Sequence, residues 1–236
     1  MKLIDSWMLI KIKPHEKFEG VYWIIDAEKI LATKNLAPGV QVYGERLFRV
    51  GGVEYRAWIP YRSKLAAAIL KGIKEIFIRP GSKVLYLGTA TGTTSSHVSD
   101  IIGESGILYG VEFASRVMIQ FKRNVADRRP NVIPIFADAR KPSTYAGIVG
   151  EVDVIYCDVA QPEQAKLFSD NARLMLRSKG HGLIAVKARS IDSVEEPEAV
   201  YRREIETLEK NGLKPLEVVD LEPYERDHVM VVVEYR

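Results

Sequence analysis

The sequence predicts an α/β protein: a seven-stranded doubly wound sheet with its last strand antiparallel, preceded by a small antiparallel β module. Three observations predict it. After Pro60, short and nearly continuous apolar runs alternate with helix-length segments, the pattern of a buried and mostly parallel sheet. The last two runs are joined by residues 221–227 alone, too few for a crossover helix, so the final strand returns antiparallel. Before Pro60, short β-rich stretches alternate with turns, as in a meander.

The first part, residues 1–57, is read as the β module, with strands at 20–25, 38–44, 47–50 and 53–58. Gly51-Gly52 between the last two is a hairpin signal. Residues 58–236 form the second domain. Ser63 is placed to cap a helix over 64–70. The strands that follow are expected at 83–87, 106–111, 132–136, 152–157, 182–187, 214–219 and 228–233. In such sheets ligands bind at the carboxyl ends of the strands, so the chemistry is sought there.

Composition bounds the function. The chain has 236 residues, 47% hydrophobic and 28% charged, which suits one catalytic domain with a small extra module. A net charge of +3 permits a nucleic-acid partner, and suits an enzyme that other components deliver to its substrate. The one cysteine, Cys157, excludes an internal disulfide and a cysteine zinc site, and reads as a core residue. No run reaches membrane-spanning length, and residues 1–12 lack the apolar segment of a signal peptide. A cytoplasmic protein is expected.

The first strand of the large sheet runs into Gly88-Thr89-Ala90-Thr91-Gly92-Thr93-Thr94. Small residues let the backbone approach a ligand, and the threonines offer hydroxyls at a helix start. This turn is neither the dinucleotide pattern nor a P-loop. The second strand ends in Glu112-Phe113, an acid placed for ribose hydroxyls and an aromatic placed to flank adenine. The third ends in Asp138-Ala139, suited to an adenine amino group, and the fourth in Asp158-Val159-Ala160-Gln161. Four successive strand ends therefore describe an adenosine-type ligand without phosphates, which points to S-adenosylmethionine. Taken singly, each residue has a plainer reading: Glu112 as a solvated acid, Asp158 as a helix cap, lysines as surface groups.

The motifs Leu87-Gly88-Thr89-Ala90-Thr91-Gly92-Thr93-Thr94, Val111-Glu112-Phe113, Asp138-Ala139-Arg140 and Asp158-Val159-Ala160-Gln161-Pro162 resemble the fibrillarin family. So do residues 33–39, 42–45, 61–67 and 221–228, which spreads the resemblance over essentially the whole chain. The family more often has Ala and Ser where this chain has Thr89 and Thr91, and the arginine- and glycine-rich tail of eukaryotic members is absent, so the shorter archaeal form is the nearer match. The resemblance implies S-adenosylmethionine-dependent 2′-O-methylation of ribose in rRNA and tRNA. It implies a catalytic set of Lys64, Asp158, Lys187 and His228, with Lys187 the candidate proton acceptor. It implies a box C/D guide RNA that selects the nucleotide, a Nop-domain scaffold protein that docks the enzyme, and a kink-turn-binding ribosomal-type protein in the same particle. The competing readings are a methyltransferase with another acceptor, a protein side chain or small molecule, and a non-catalytic scaffold.

The remaining polar and aromatic residues draw structural readings. His15, His97 and His181 are left as structural or surface groups, without metal spacing. Tyr22, Trp23, Tyr43, Tyr55 and Trp58 are core or interface residues of the module. Lys122, Arg123, Arg128 and Arg129 are expected on a solvated helix face, with phosphate contact as the functional alternative.

Overall fold

Alternating burial sets the first sheet. The computed structural model describes residues 10–236; residues 1–9, where the β module and the signal-peptide reading begin, lie outside the described residues. The first strands are β1 (Lys11–Pro14), β2 (Val21–Ile25), β3 (Lys29–Lys34), β4 (Leu47–Val50) and β5 (Val53–Ala57). They form an antiparallel sheet in the order β1-β2-β3-β5-β4, with the expected hairpin at Gly51-Gly52. Three segments differ from expectation. The sheet uses β1 and β3, which the sequence reading missed, and 38–44 is a series of turns rather than a strand. The reason is local. The Glu45 carboxylate accepts from the amides of Val42 and Tyr43, while Asn35 bonds Val40 O and Ala37 N. Polar groups that a ladder would pair are thus satisfied by side chains.

The second sheet contains all seven expected strands. Helix α1 (Lys64–Leu70) leads into β6 (Lys83–Leu87), α2 (Thr93–Ile102), β7 (Ile107–Glu112), α3 (Ser115–Asn124), β8 (Val132–Phe136), α4 (Ala146–Val149) and β9 (Val152–Cys157). Then follow α5 (Gln164–Met175), β10 (Leu176–Lys187), α6 (Ala188–Ile191), α7 (Pro197–Lys210), β11 (Leu213–Asp220) and β12 (His228–Tyr235). The order is β11-β12-β10-β9-β6-β7-β8, and β12 runs antiparallel to both its neighbours. Strand β10 begins at Leu176, earlier than expected, with an irregularity before His181. No helix among the described residues is long and apolar enough to cross a membrane.

Each face of this sheet buries its own core. Leu85, Ile155, Ile184 and Val231 pack on one face against Phe168 of α5 and Leu208 of α7. Val84, Tyr86, Leu183 and Met230 pack on the other against α1, α2 and α3, and there Val21, Leu31 and Trp58 of the first sheet join the same core. Cys157 is fully buried, and burial pushes its thiol up to about 12.

A buried polar network ties the first sheet to α2. Arg56 of β5 reaches Glu45 at 2.7 Å and Asp100 of α2 at 2.8 Å. Asp100 also accepts from Arg129, the amide of Leu36 and the hydroxyl of Thr33. Arg129 is therefore not on a solvated face: it is 1% exposed and closes a set of two guanidiniums and two carboxylates. Lys122 is exposed and pairs with Asp127. His97 is also fully buried, stacked on Trp58. Thr33 gives its proton to Asp100, so its oxygen accepts from His97 Nδ1; Nε2 lies 2.7 Å from the Tyr43 hydroxyl, which is also 3.0 Å from the Ala57 carbonyl. Burial, reinforced by Arg56 and Arg129, holds this imidazole neutral.

Candidate active site

The site opens where β6 stops. Gly88 turns the chain at φ +81°, and a Cβ there would lie 2.9 Å from the carbonyl oxygen of Asp158. Only glycine lets the β6 turn and the end of β9 approach so closely, and Asp158 N completes the contact by donating to Leu87 O. Gly92, at φ +107°, opens α2 packed against Val125, where a Cβ would sit 2.3 Å from the side chain. Between them the loop is anchored by Glu112: its carboxylate accepts from Ala90 N at 3.2 Å, Phe113 N at 3.0 Å and Ala114 N at 2.9 Å.

These strand ends surround a cavity of about 290 Å³. Gly88 and Ala90 line it after β6, Glu112 and Phe113 after β7, Asp138 and Ala139 after β8, and Asp158, Val159, Ala160 and Gln161 after β9. Val111, Ala137 and Leu167 add apolar wall that the sequence reading did not include. Leu167 belongs to α5, and nothing in its local sequence distinguishes it from a core residue.

Four expected residues lie off the cavity. Thr89 is buried with an unpartnered hydroxyl, and its methyl packs at Gly110. Thr94 donates to Ser63 Oγ at 2.9 Å, and the Thr93 carbonyl accepts from Ser96. Gly92 shapes the turn from behind.

The lining chemistry fits an adenosine-type ligand that carries positive charge. Among the described residues, three carboxylates reach the cavity, from Glu112, Asp138 and Asp158, against one cation, Lys187. That set suits hydroxyls, an amine and a cationic centre, and disfavours phosphate. Phe113 is 61% exposed and offers an open aromatic face at the rim. Asp138 is gripped by the Arg140 guanidinium through Nε and Nη2, which holds its carboxyl below the usual range.

Beside the cavity, three elements bring charges together. Lys64 is the first residue of α1, a helix capped by Ser63 Oγ accepting from Ala66 N. Its Nζ lies 3.4 Å from Asp158 Oδ1 and 3.6 Å from Glu225 Oε1. Lys187, the last residue of β10, places Nζ 2.7 Å from the same Asp158 Oδ1. Its directed hydrogen bond goes to the Asp158 carbonyl at 3.1 Å, so the contact with Oδ1 is Coulombic. Gln164, fully buried, accepts from Lys187 N at 2.9 Å and donates to Ala185 O at 3.2 Å and to Val159 O. It fixes the ends of β9 and β10 to each other, a role its sequence position did not reveal.

His228 opens β12 directly opposite Lys187. Its Nδ1 lies 2.5 Å from the carbonyl of Arg226 and must donate there, which leaves Nε2 as the acceptor in the neutral ring. All four residues of the expected catalytic set are thus brought to one end of the sheet. Beneath them Tyr86 and Tyr156 pack with ring centroids 4.7 Å apart. Burial, and secondarily neighbouring negative charge, keeps both phenols protonated.

Comparison with known proteins agrees with this geometry. The fibrillarin family model matches residues 12–236. A fibrillarin-like rRNA/tRNA 2′-O-methyltransferase of Methanopyrus kandleri is 59% identical over 228 residues, covering 96% of this chain and 98% of that protein. The structure of Aeropyrum pernix fibrillarin in complex with natively bound S-adenosyl-L-methionine is similar at TM-score 0.89 and 52% identity, covering 95% of this chain and 98% of that one. A fibrillarin/Nop5p complex contains a chain similar at TM-score 0.84 and 41% identity, covering 95% and 100%.

Proposed function

The chain belongs to the fibrillarin family, and from that premise we propose that it methylates ribose 2′-hydroxyls of rRNA and tRNA with S-adenosylmethionine. The observation that carries the reading is the placement of Lys187 Nζ, 2.7 Å from Asp158, on the wall of a cavity whose acids suit adenosine. When bound, S-adenosylmethionine supplies a methyl group on a positively charged sulfur.

Glu112 is the residue for the ribose hydroxyls, since its carboxylate is already fixed by three amides. Phe113 flanks the base, and Asp138 with Ala139 borders its edge. Lys187 takes the proton from the attacking 2′-hydroxyl, which a lysine can do only as the free amine. Asp158 orients that nitrogen through its carboxylate and its carbonyl. Lys64 approaches the same Asp158 oxygen from α1, and His228 offers Nε2 to the incoming ribose.

The described residues form no recognised RNA-reading module, and we assign the choice of target nucleotide to a box C/D guide RNA, held with a Nop-domain scaffold and a kink-turn-binding protein. The similarity to the chain in the fibrillarin/Nop5p complex supports the scaffold. A single free and buried cysteine suits a reducing cytoplasm, where we place the protein.

The test is transfer of labelled methyl to a target RNA, with and without guide RNA and partner proteins, followed by mapping of the label. Label on one ribose 2′-oxygen, with the full set alone, supports the reading. Label on another acceptor, or none despite cofactor binding, would overturn it in favour of a different methyltransferase or a scaffold.

A further inference from the structure

Two ammonium groups compete for one oxygen in this site. Lys187 and Lys64 both point at Asp158 Oδ1, at 2.7 and 3.4 Å, and among the described residues the further side-chain carboxylate within reach is Glu225, 3.6 Å from Lys64. We infer that Glu225 is a positioning residue of the site: it holds Lys64 off Asp158 so that the Asp158 carboxylate stays with Lys187. The inference rests on the proposed function.

Glu225 is presented by a well-fastened loop. Its amide donates to Leu221 O at 3.1 Å, and Leu221 N donates to His228 O at 3.1 Å, which closes the turn into β12. Tyr224 packs edge-on against Tyr61 beside α1, and Lys71 donates to Glu222 O at 2.6 Å. The loop is therefore docked on the same helix that carries Lys64, and Glu225 approaches its partner from a fixed backbone. With Glu225 the cluster has two cations and two anions. Without its charge, both lysines depend on Asp158 alone, and like-charge repulsion sets them against each other. Glu225 is not part of the cavity wall, so its influence on the reaction runs through Lys64.

Two measurements test this. In the assembled particle, Glu225→Gln is expected to lower kcat about tenfold while the cofactor Kd stays within about twofold. Glu225→Asp, which keeps the charge, recovers part of the rate. In a Lys64→Met background, Glu225→Gln is expected to cost nothing further, because its partner is gone. A wild-type rate for Glu225→Gln, or the same loss in both backgrounds, would overturn the inference. Should Glu225→Gln fail to fold, Glu225→Asp takes its place in the two backgrounds, with a smaller loss expected beside Lys64 and none beside Met. The second measurement is a crystal structure of the folded variant, which needs no turnover. Lys64 Nζ is expected to close on Asp158 Oδ1 and Lys187 Nζ to draw back. Unchanged distances overturn the inference even if the wild-type particle proves inactive on RNA, an outcome that would refute the proposed function separately.

Discussion

Lys187 and His228 stand opposite each other in the antiparallel ladder of β10 and β12, the one closing its strand and the other opening its own. Strands parallel to β10 can bring only their carboxyl ends to this edge of the sheet. The reversed direction of β12 lets a residue at the start of a strand join the site. His228 is thus set opposite the lysine without a long connecting loop.

Loss of Lys187, the proposed proton acceptor, is expected to separate chemistry from binding. Lys187→Ala should lower single-turnover methyl transfer by about 10²–10⁴-fold, the range for a general base, with a far smaller change in cofactor affinity. Near-normal turnover in that variant would remove Lys187 from the role.

Glu112 makes the opposite prediction. Glu112→Gln weakens the grip on the Ala90, Phe113 and Ala114 amides and on ribose together. Calorimetry should find the cofactor Kd raised about 10–100-fold, equal to about 1.4–2.8 kcal/mol. An unchanged Kd would mean that the ribose is held elsewhere.

The buried network predicts a large stability effect far from the cavity. Asp100→Asn leaves the charges of Arg56 and Arg129 short of a buried counter-ion. Removing one partner from such a set costs about 3–5 kcal/mol. For a chain of this size that lowers Tm by about 6–20 °C, read by calorimetry. A shift of a degree or two would show that the network is dispensable.

His97 predicts acid sensitivity. Its imidazole is held well below the ordinary value of 6.5 by burial, whereas the unfolded chain titrates near that value. The unfolded state therefore binds the extra proton first. The stability is fully present above about pH 6.5 and falls as pH drops below it, by about 1.4 kcal/mol per unit from this group. Denaturant melts of wild type and His97→Asn between about pH 6.5 and 5 should diverge in slope, the variant being flatter. Parallel slopes would reject the assignment.

The seven strands of the large sheet were legible because each is an apolar run bounded by turn residues, and their carboxyl ends carry the acids of the site. Strand β3 was not, since Lys29–Lys34 is short, exposed at both ends, and gains its place by pairing with β2 and β5. Residues 38–44 look strand-like in composition, yet Glu45 and Asn35 take their amides and carbonyls. Arg129 reads as surface because its partner Asp100 is 29 residues away in the chain. Lys64, Asp158 and Lys187 were singled out through family resemblance, but that two ammoniums share one carboxylate oxygen, and that Glu225 takes up the excess, appears only once the loop before β12 is seen against α1.

The position of β12 also makes the site depend on a strand inserted between two others. Among the described strands it is the last in chain order, yet it sits inside the large sheet, between β10 and β11. Until it inserts, β10 and β11 each present an open ladder, and the Lys187 edge lacks its imidazole and the loop that bears Glu225. A nascent chain can build the cofactor cavity well before it completes the charge cluster. The complete charge cluster is thereby tied to the insertion of β12, and a chain cut before that strand carries the wall of the pocket together with open sheet edges but no finished site.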